Sequence, residues 1–204
     1  MRLVLASSSP ARLRTLSRAG IEADVVRPEV DEDAFTAPSA GELTCILASA
    51  KGEAAAPSLD ADADWVLVAC DTLLELDQRT WGKPGDAASA EALWRRLRGR
   101  TARVHTGHHI VVNTAGDRRA VTRLATAEVT FADLSDEEIA AYVETGEPAR
   151  CAGGFTIDGF GGPFVTSIRG DHHTVVGISL PLLRQVLLDL GIGWHELWQA
   201  PTQG

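Results

Sequence analysis

Asp71 follows a short and almost wholly apolar run, Trp65-Val66-Leu67-Val68-Ala69-Cys70. A continuous run of that kind reads as a strand buried on both faces. It ends at Asp71-Thr72, so Asp71 is expected at a carboxyl end of a sheet, where open α/β folds bind their ligands. A carboxylate there can hold a metal ion or take a proton from water. The plainer alternative is an Asx-turn or a helix cap. Asp31, Glu32 and Asp33 form an acidic knot in a loop. Such knots are ordinarily just solvated. Together with Asp71 they could supply oxygens to Mg²⁺, which takes one or two carboxylates plus substrate phosphates. Two lysines are candidates to face a phosphate. Lys83 lies between Gly82 and Pro84, in a rigid loop that can present a point charge, though on the residues alone an ordinary solvated surface lysine is the better reading. Lys51 stands inside an Ala-rich helical segment and, taken alone, reads as a solvated face residue.

A further candidate is the first turn. Leu3-Val4-Leu5-Ala6 runs into Ser7-Ser8-Ser9-Pro10, with Arg12 just beyond. Strand, turn and helix is the natural reading, with Pro10 at the first helical position and a serine as its cap. Free N–H groups, hydroxyls and a nearby Arg at a helix start suit a phosphate. A well-capped surface helix is the alternative. No Walker P-loop is present, because Asp77 and Pro84 stand where it requires Gly and a hydroxyl. No G-x-S-x-G elbow is present either. The adjacent pairs His108-His109 and His172-His173 would point to opposite faces in strands. With His105 and His195 they read as structural or surface groups.

The elements that position these residues follow from periodicity and punctuation. Helices are expected from Pro10 to near Gly20, from the capping box at Ser39-Ala40-Gly41-Glu42 through about Ala56, over Ala87 to Leu97 behind an Asp86 cap, after the capping box at Ser135, and over Leu180 to Leu190. Strands are expected over Arg2–Ala6, Ile21–Val26, Trp65–Cys70 and Phe164–Arg169. Leu73–Leu76 and Arg79–Trp81 make a hairpin around Asp77-Gln78, and Thr101–Asn113 pairs with Arg119–Phe131. Residues 153–162 read as a Gly-rich loop, and the tail after Trp198 as frayed. Alternating α and β with antiparallel segments predicts an α/β protein with a mixed sheet flanked by helices.

The chain has 204 residues, 45% apolar, with a net charge of −9. That length predicts one domain over residues 1–204, with two lobes. The acidic balance argues against duplex nucleic acid as a partner. Three widely spaced cysteines, Cys45, Cys70 and Cys151, fit a reducing cytosol and argue against a disulfide scaffold or a zinc site. No apolar stretch approaches the ~20 residues of a membrane span. A cytoplasmic protein without a membrane partner is therefore expected.

In order along the chain, Leu5-Ala6-Ser7-Ser8-Ser9-Pro10, Val30-Asp31-Glu32, Leu47-Ala48-Ser49-Ala50-Lys51, Cys70-Asp71-Thr72, Gly82-Lys83-Pro84 and Gly146-Glu147-Pro148 together resemble the motifs of the Maf family of nucleoside triphosphate pyrophosphatases, a family linked to septum formation. The resemblance covers nearly the whole chain. It implies an elongated mixed sheet in two lobes with a central cleft, related to inosine triphosphate pyrophosphatases. It implies hydrolysis of a (d)NTP between the α and β phosphorus atoms, giving the monophosphate and pyrophosphate, and a role in clearing modified or non-canonical nucleotides from the pool. By the same resemblance Asp71 would accept the proton of the attacking water and, with Glu32 or Asp31, help to hold Mg²⁺ or Mn²⁺. Ser7, Ser9, Arg12, Lys51 and Lys83 would contact the triphosphate, and the family suggests a homodimer.

Three positions depart from the family pattern. Ala11 replaces one of two cations after the Ser-Pro motif, Arg150-Cys151 replaces Asp-Lys, and Asp158 stands where the pyrimidine-specific branch carries Gln. A carboxylate at Asp158 accepts from base edges that offer N–H groups, as guanine does, whereas Gln both donates and accepts. The Cys-Ala-Gly segment also resembles the branch acting on 7-methyl-GTP, so base preference stays open. The substitutions at Ala11, Arg150 and Cys151 leave a second hypothesis, a non-catalytic nucleotide-binding regulator of cell division. Retention of Asp71, Glu32, Lys51 and Lys83 favours the enzyme.

Overall fold

The computed structural model of the protein describes residues 1–198. The expected fraying after Trp198 concerns residues 199–204, outside the described residues. One seven-stranded mixed sheet forms the frame. Its strands are β1 (Arg2–Ala6), β2 (Ala23–Val26), β3 (Trp65–Leu76), β4 (Arg79–Trp81), β5 (Thr101–Thr114), β6 (Asp117–Phe131) and β7 (Val165–Arg169), in the order β2-β1-β3-β5-β6-β7, with β4 beside the far end of β3. β1 runs parallel to both β2 and β3, and every other pairing is antiparallel. The helices are α1 (Pro10–Arg18), α2 (Ala40–Ala55), α3 (Ala87–Leu97), α4 (Asp136–Glu144), α5 (Glu147–Arg150), α6 (His172–Val176) and α7 (Leu180–Asp189). The mixed α/β sheet flanked by helices is thus as expected.

Local chemistry sets the helix starts. Ser9, Ser39, Asp86, Ser135 and Ser179 each accept an N–H of the first turn, and Ser135 with Glu138 completes a capping box. Three buried clusters hold the sheet. Val66, Val68 and Cys70 point into one cluster with α7. Trp65, Leu67 and Ala69 point into a second, beside Ala55 of α2. Leu74 and Leu76 belong to a third at the opposite end, built on Trp94, Phe131 and Tyr142. Trp94 meets Phe131 and Tyr142 edge-on at 5.4 and 5.2 Å and donates its indole N–H to Gly154 O at 2.8 Å. A buried tryptophan is stable there because its polar edge is satisfied.

Three expectations need correction. β3 does not stop at Asp71-Thr72 but runs twelve residues to Leu76, because Asp71 and Thr72 pair with Gly107 and Thr106 of β5 and nothing breaks the ladder. The paired histidines 172 and 173 lie on the short helix α6 rather than a strand. Their rings are therefore stacked neighbours, with centroids 3.8 Å apart. Residues 147–150 are helical, and the Gly-rich stretch begins and ends in single 3₁₀ turns.

Candidate active site

Asp71 owes its setting to a change of neighbours along β3. On one edge, β1 pairs with β3 as far as Ala69. The same edge is taken up again by β4 only at Leu74. Residues 70–73 thus border a notch in the sheet. The serine turn follows the end of β1 and the Gly82-Lys83-Pro84 turn follows β4. So Asp71 is mid-strand, yet it lies just past the carboxyl end of the parallel half of the sheet, where α/β folds place their ligands.

Arg12 fills the notch on one face. Its Nε donates to Gly177 O at 2.8 Å, Nη1 to Cys70 O at 2.8 Å and Ser7 Oγ at 3.1 Å, and Nη2 to Thr72 Oγ1 at 3.0 Å. Thr72 in turn bonds Thr106 Oγ1. The guanidinium thereby replaces part of the missing strand. Ser7 Oγ also accepts from the Ser9 amide, and Ser9 Oγ caps α1 by accepting the Arg12 amide. These contacts fix the serine turn as a preformed loop at a helix start.

By strand alternation Asp71 shares the face of Leu67 and Ala69, which α2 covers. Lys51 on α2 reaches down to it. Lys51 Nζ lies 2.5 Å from Asp71 Oδ1 and 2.8 Å from Glu32 Oε1. Lys51 is therefore not the solvated face residue that its helix alone suggests. The Asp71 side chain is 9% exposed and Glu32 is largely open. Burial raises the Asp71 carboxyl above its ordinary 3.8, while Lys51 and Arg12 pull it back down. Asp71 Oδ2 is buried and has no hydrogen-bond partner among the described residues. An orphaned carboxylate oxygen in a protein interior costs about 1–3 kcal/mol.

Lys83 is exposed, and its amine has no ion-pair partner among the described residues. Its turn is tied to the other half of the molecule by Gly153 N→Gly82 O and Gly85 N→Ala149 O, both 2.9 Å. Asp158 sits on the Gly-rich loop, exposed and 3.9 Å from Arg14 of α1. Asp71, Lys51 and Glu32 thus touch one another, Ser7 and Arg12 flank them through Cys70 and Thr72, and Lys83 and Asp158 stand on separate loops without touching that group. Asp31 directly precedes the single 3₁₀ turn that carries Glu32 and Asp33, and its side chain makes no capping hydrogen bond.

Two features escaped the sequence reading. Gly107 pairs directly with Asp71, and a methyl there would lie 2.6 Å from Cys45 N and closer still to the carbonyl of Thr44. Its bareness lets the α2 backbone rest on the sheet and sets the depth of Lys51. Glu147 is the second. Its carboxylate accepts from Tyr142 Oη at 2.6 Å, Gly161 N at 3.0 Å and Phe160 N at 3.1 Å, which moors the loop carrying Asp158. The Gly-Glu-Pro motif was a signal for Glu147. Gly107 had none, since its neighbour is remote in sequence.

Against this geometry, a profile of the family described as Maf-like protein matches residues 2–190. The chain belongs to the Maf family. It is 49% identical over 205 residues to a Cutibacterium acnes protein named nucleoside triphosphate pyrophosphatase, an alignment covering 98% of this chain and 96% of that one. A Streptomyces coelicolor protein of the same name is 47% identical over 202 residues, covering 99% and 96%. Superposition on the Staphylococcus aureus Ham1 protein gives a TM-score of 0.45 at 15% identity, covering 94% of this chain and all of that one. No helix among the described residues of this Maf protein is long and apolar enough to cross a membrane.

Proposed function

We propose that this Maf protein is a nucleoside triphosphate pyrophosphatase, hydrolysing a (d)NTP to the monophosphate and pyrophosphate. The observation that carries the reading is the buried carboxylate of Asp71, one oxygen held by Lys51 and the other without a partner among the described residues, beside the gap that β1 and β4 leave along β3. Asp71 is the base that takes a proton from the attacking water. Lys51 keeps Asp71 oriented and ionised. Phosphoryl-type transfer rests mainly on positioning and on stabilising charge. The N–H groups at the start of α1, Ser7, Ser9 and Arg12 bind phosphate oxygens on one side, and Lys83 on the other. A protein of net charge −9 concentrates these positive groups around one notch.

The donor set also fits a divalent cation. The orphaned Asp71 Oδ2 and the open Glu32 carboxylate are hard oxygen donors of the kind Mg²⁺ or Mn²⁺ takes. Asp71 and Glu32 would hold it, and when bound it would neutralise phosphate charge. Asp158, moored by Glu147 through its loop, reads the base edge and favours bases that offer N–H groups.

Pyrophosphate release over a panel of standard, methylated and deaminated triphosphates, with and without Mg²⁺ or Mn²⁺, tests the activity and ranks the bases. Asp71→Asn keeps the shape of the side chain but removes the base. Turnover is expected to fall by ~10²–10⁴-fold with nucleotide affinity little changed. Turnover near wild type in Asp71→Asn rejects the role. Binding without turnover across the panel favours the non-catalytic regulator.

A further inference from the structure

Away from Asp71 the molecule carries a second group of metal-ligating side chains. Asp171, His172 and His173 each offer one ligand atom, all within 4.8 Å of one another. They sit at the start of α6, and the two histidines border a pocket of about 440 Å³ between α1 and α6, whose walls include Arg18, Ile157, Asp158 and Val176. We propose that Asp171, His172 and His173 form a site for a transition-metal ion of the Zn²⁺ class, separate from the oxygen-only donors at Asp71. The proposal stands apart from the reading of Asp71.

Donor chemistry separates the two places. Imidazole nitrogens select Zn²⁺, Ni²⁺ or Cu²⁺, whereas carboxylates and phosphates suit Mg²⁺ and Mn²⁺. The contacts of His173 support a ligand role. His173 Nδ1 lies 3.1 Å from Asp171 Oδ1, close to the separation of two ligand atoms on one tetrahedral ion. His172 is exposed and makes no hydrogen bond among the described residues. Its ring lies against His173 at 3.8 Å and 37°. Two imidazoles held that close gain from a shared cation. Ligand atoms on a tetrahedral Zn²⁺ are about 3.3 Å apart, so the exposed His172 ring needs only a side-chain rotation to close the set. Three protein ligands leave one position open toward the pocket, the arrangement of an ion that can still take water or a small anion. The far end of α6 leads into Gly177, whose carbonyl receives the Arg12 guanidinium. An ion at the near end would therefore stiffen the segment that braces the notch.

The test is titration of the full-length protein with Zn²⁺ by calorimetry and with Co²⁺ by visible absorption, in excess Mg²⁺. Wild type, His172→Ala, His173→Ala and Asp71→Asn are compared, with melting curves as a folding check. Wild type and Asp71→Asn should bind one ion with the same affinity and give the intense Co²⁺ bands of a four-coordinate site. Losing an orienting partner costs a metal site 10–100-fold, so loss of a ligand in His172→Ala should weaken binding by at least ~100-fold. His172 has no packing duty, so this variant decides the matter even if His173→Ala fails to fold. Equal affinity in wild type and His172→Ala overturns the proposal, and so does binding that vanishes in Asp71→Asn.

Discussion

Replacing Gly107 with alanine should break the proposed catalytic arrangement without touching any charged group. The added methyl carbon would lie 2.6 Å from the Cys45 amide nitrogen, on helix backbone that cannot swing aside, where ordinary contact begins near 3.4 Å. α2 must therefore lift by about 1 Å. Lys51 rides on α2, and its 2.5 Å contact with Asp71 opens by a similar amount, to about 3.5 Å. Misplacing a catalytic group by ~1 Å costs on the order of 10²-fold in rate. Overpacking costs about 1–3 kcal/mol, which lowers the melting temperature of a chain this size by roughly 3–10 °C. The assay is pyrophosphate release under saturating substrate, run beside a thermal melt and a binding titration with a non-hydrolysable nucleotide. A folded Gly107→Ala protein that binds nucleotide and turns over within twofold of wild type refutes the link between the depth of α2 and the base.

Lys51→Ala should shift the acid limb of the pH–rate profile upward. Burial already raises the Asp71 carboxyl and Lys51 is the largest opposing influence; a raised native value means protonation favours the folded state, so the variant's stability deficit, ~3 kcal/mol at neutral pH, should shrink as pH falls through that value, which paired melts and rate profiles will show. His108 is buried, presents Nδ1 to Thr106 O at 3.0 Å and accepts the Ser179 amide at 2.8 Å, and burial lowers it to about 4. The unfolded chain binds its proton near 6.5, so wild-type stability should rise from pH 4 to 6.5 by up to ~3 kcal/mol, a slope that His108→Gln should flatten in denaturant titrations. Glu147→Gln places an amide N–H₂ against at least one of the donors from Tyr142, Phe160 and Gly161. A loss of about 1–3 kcal/mol should appear as faster protease cleavage within 157–162 and a weaker preference among bases at Asp158.

Much of the frame was legible because it is local. Pro10, Asp86 and the serines at 39 and 135 mark helix starts through hydrogen bonds within one turn, and the apolar run 65–70 could only be interior. What was hidden depends on neighbours far along the chain. Apolar periodicity shows that residues 65–70 are buried but not where β1 stops beside them, so Asp71 read as a strand end. The helical pattern around Lys51 does not say which sheet face α2 covers, and nothing near Gly107 announces that a helix lies on it. Helix α6 is too short for its period to outweigh the strand reading of His172 and His173.

The notch beside residues 70–73 also bears on how such a protein changes over time. Its two rims are loops, at Ser7–Ser9 and Gly82–Gly85, whereas the group at its floor is carried by a strand locked on its other side along its length by β5. Residues can be gained or exchanged on either rim without altering the register of the frame. If the rims hold the triphosphate as proposed, substrate range and chemical step are uncoupled.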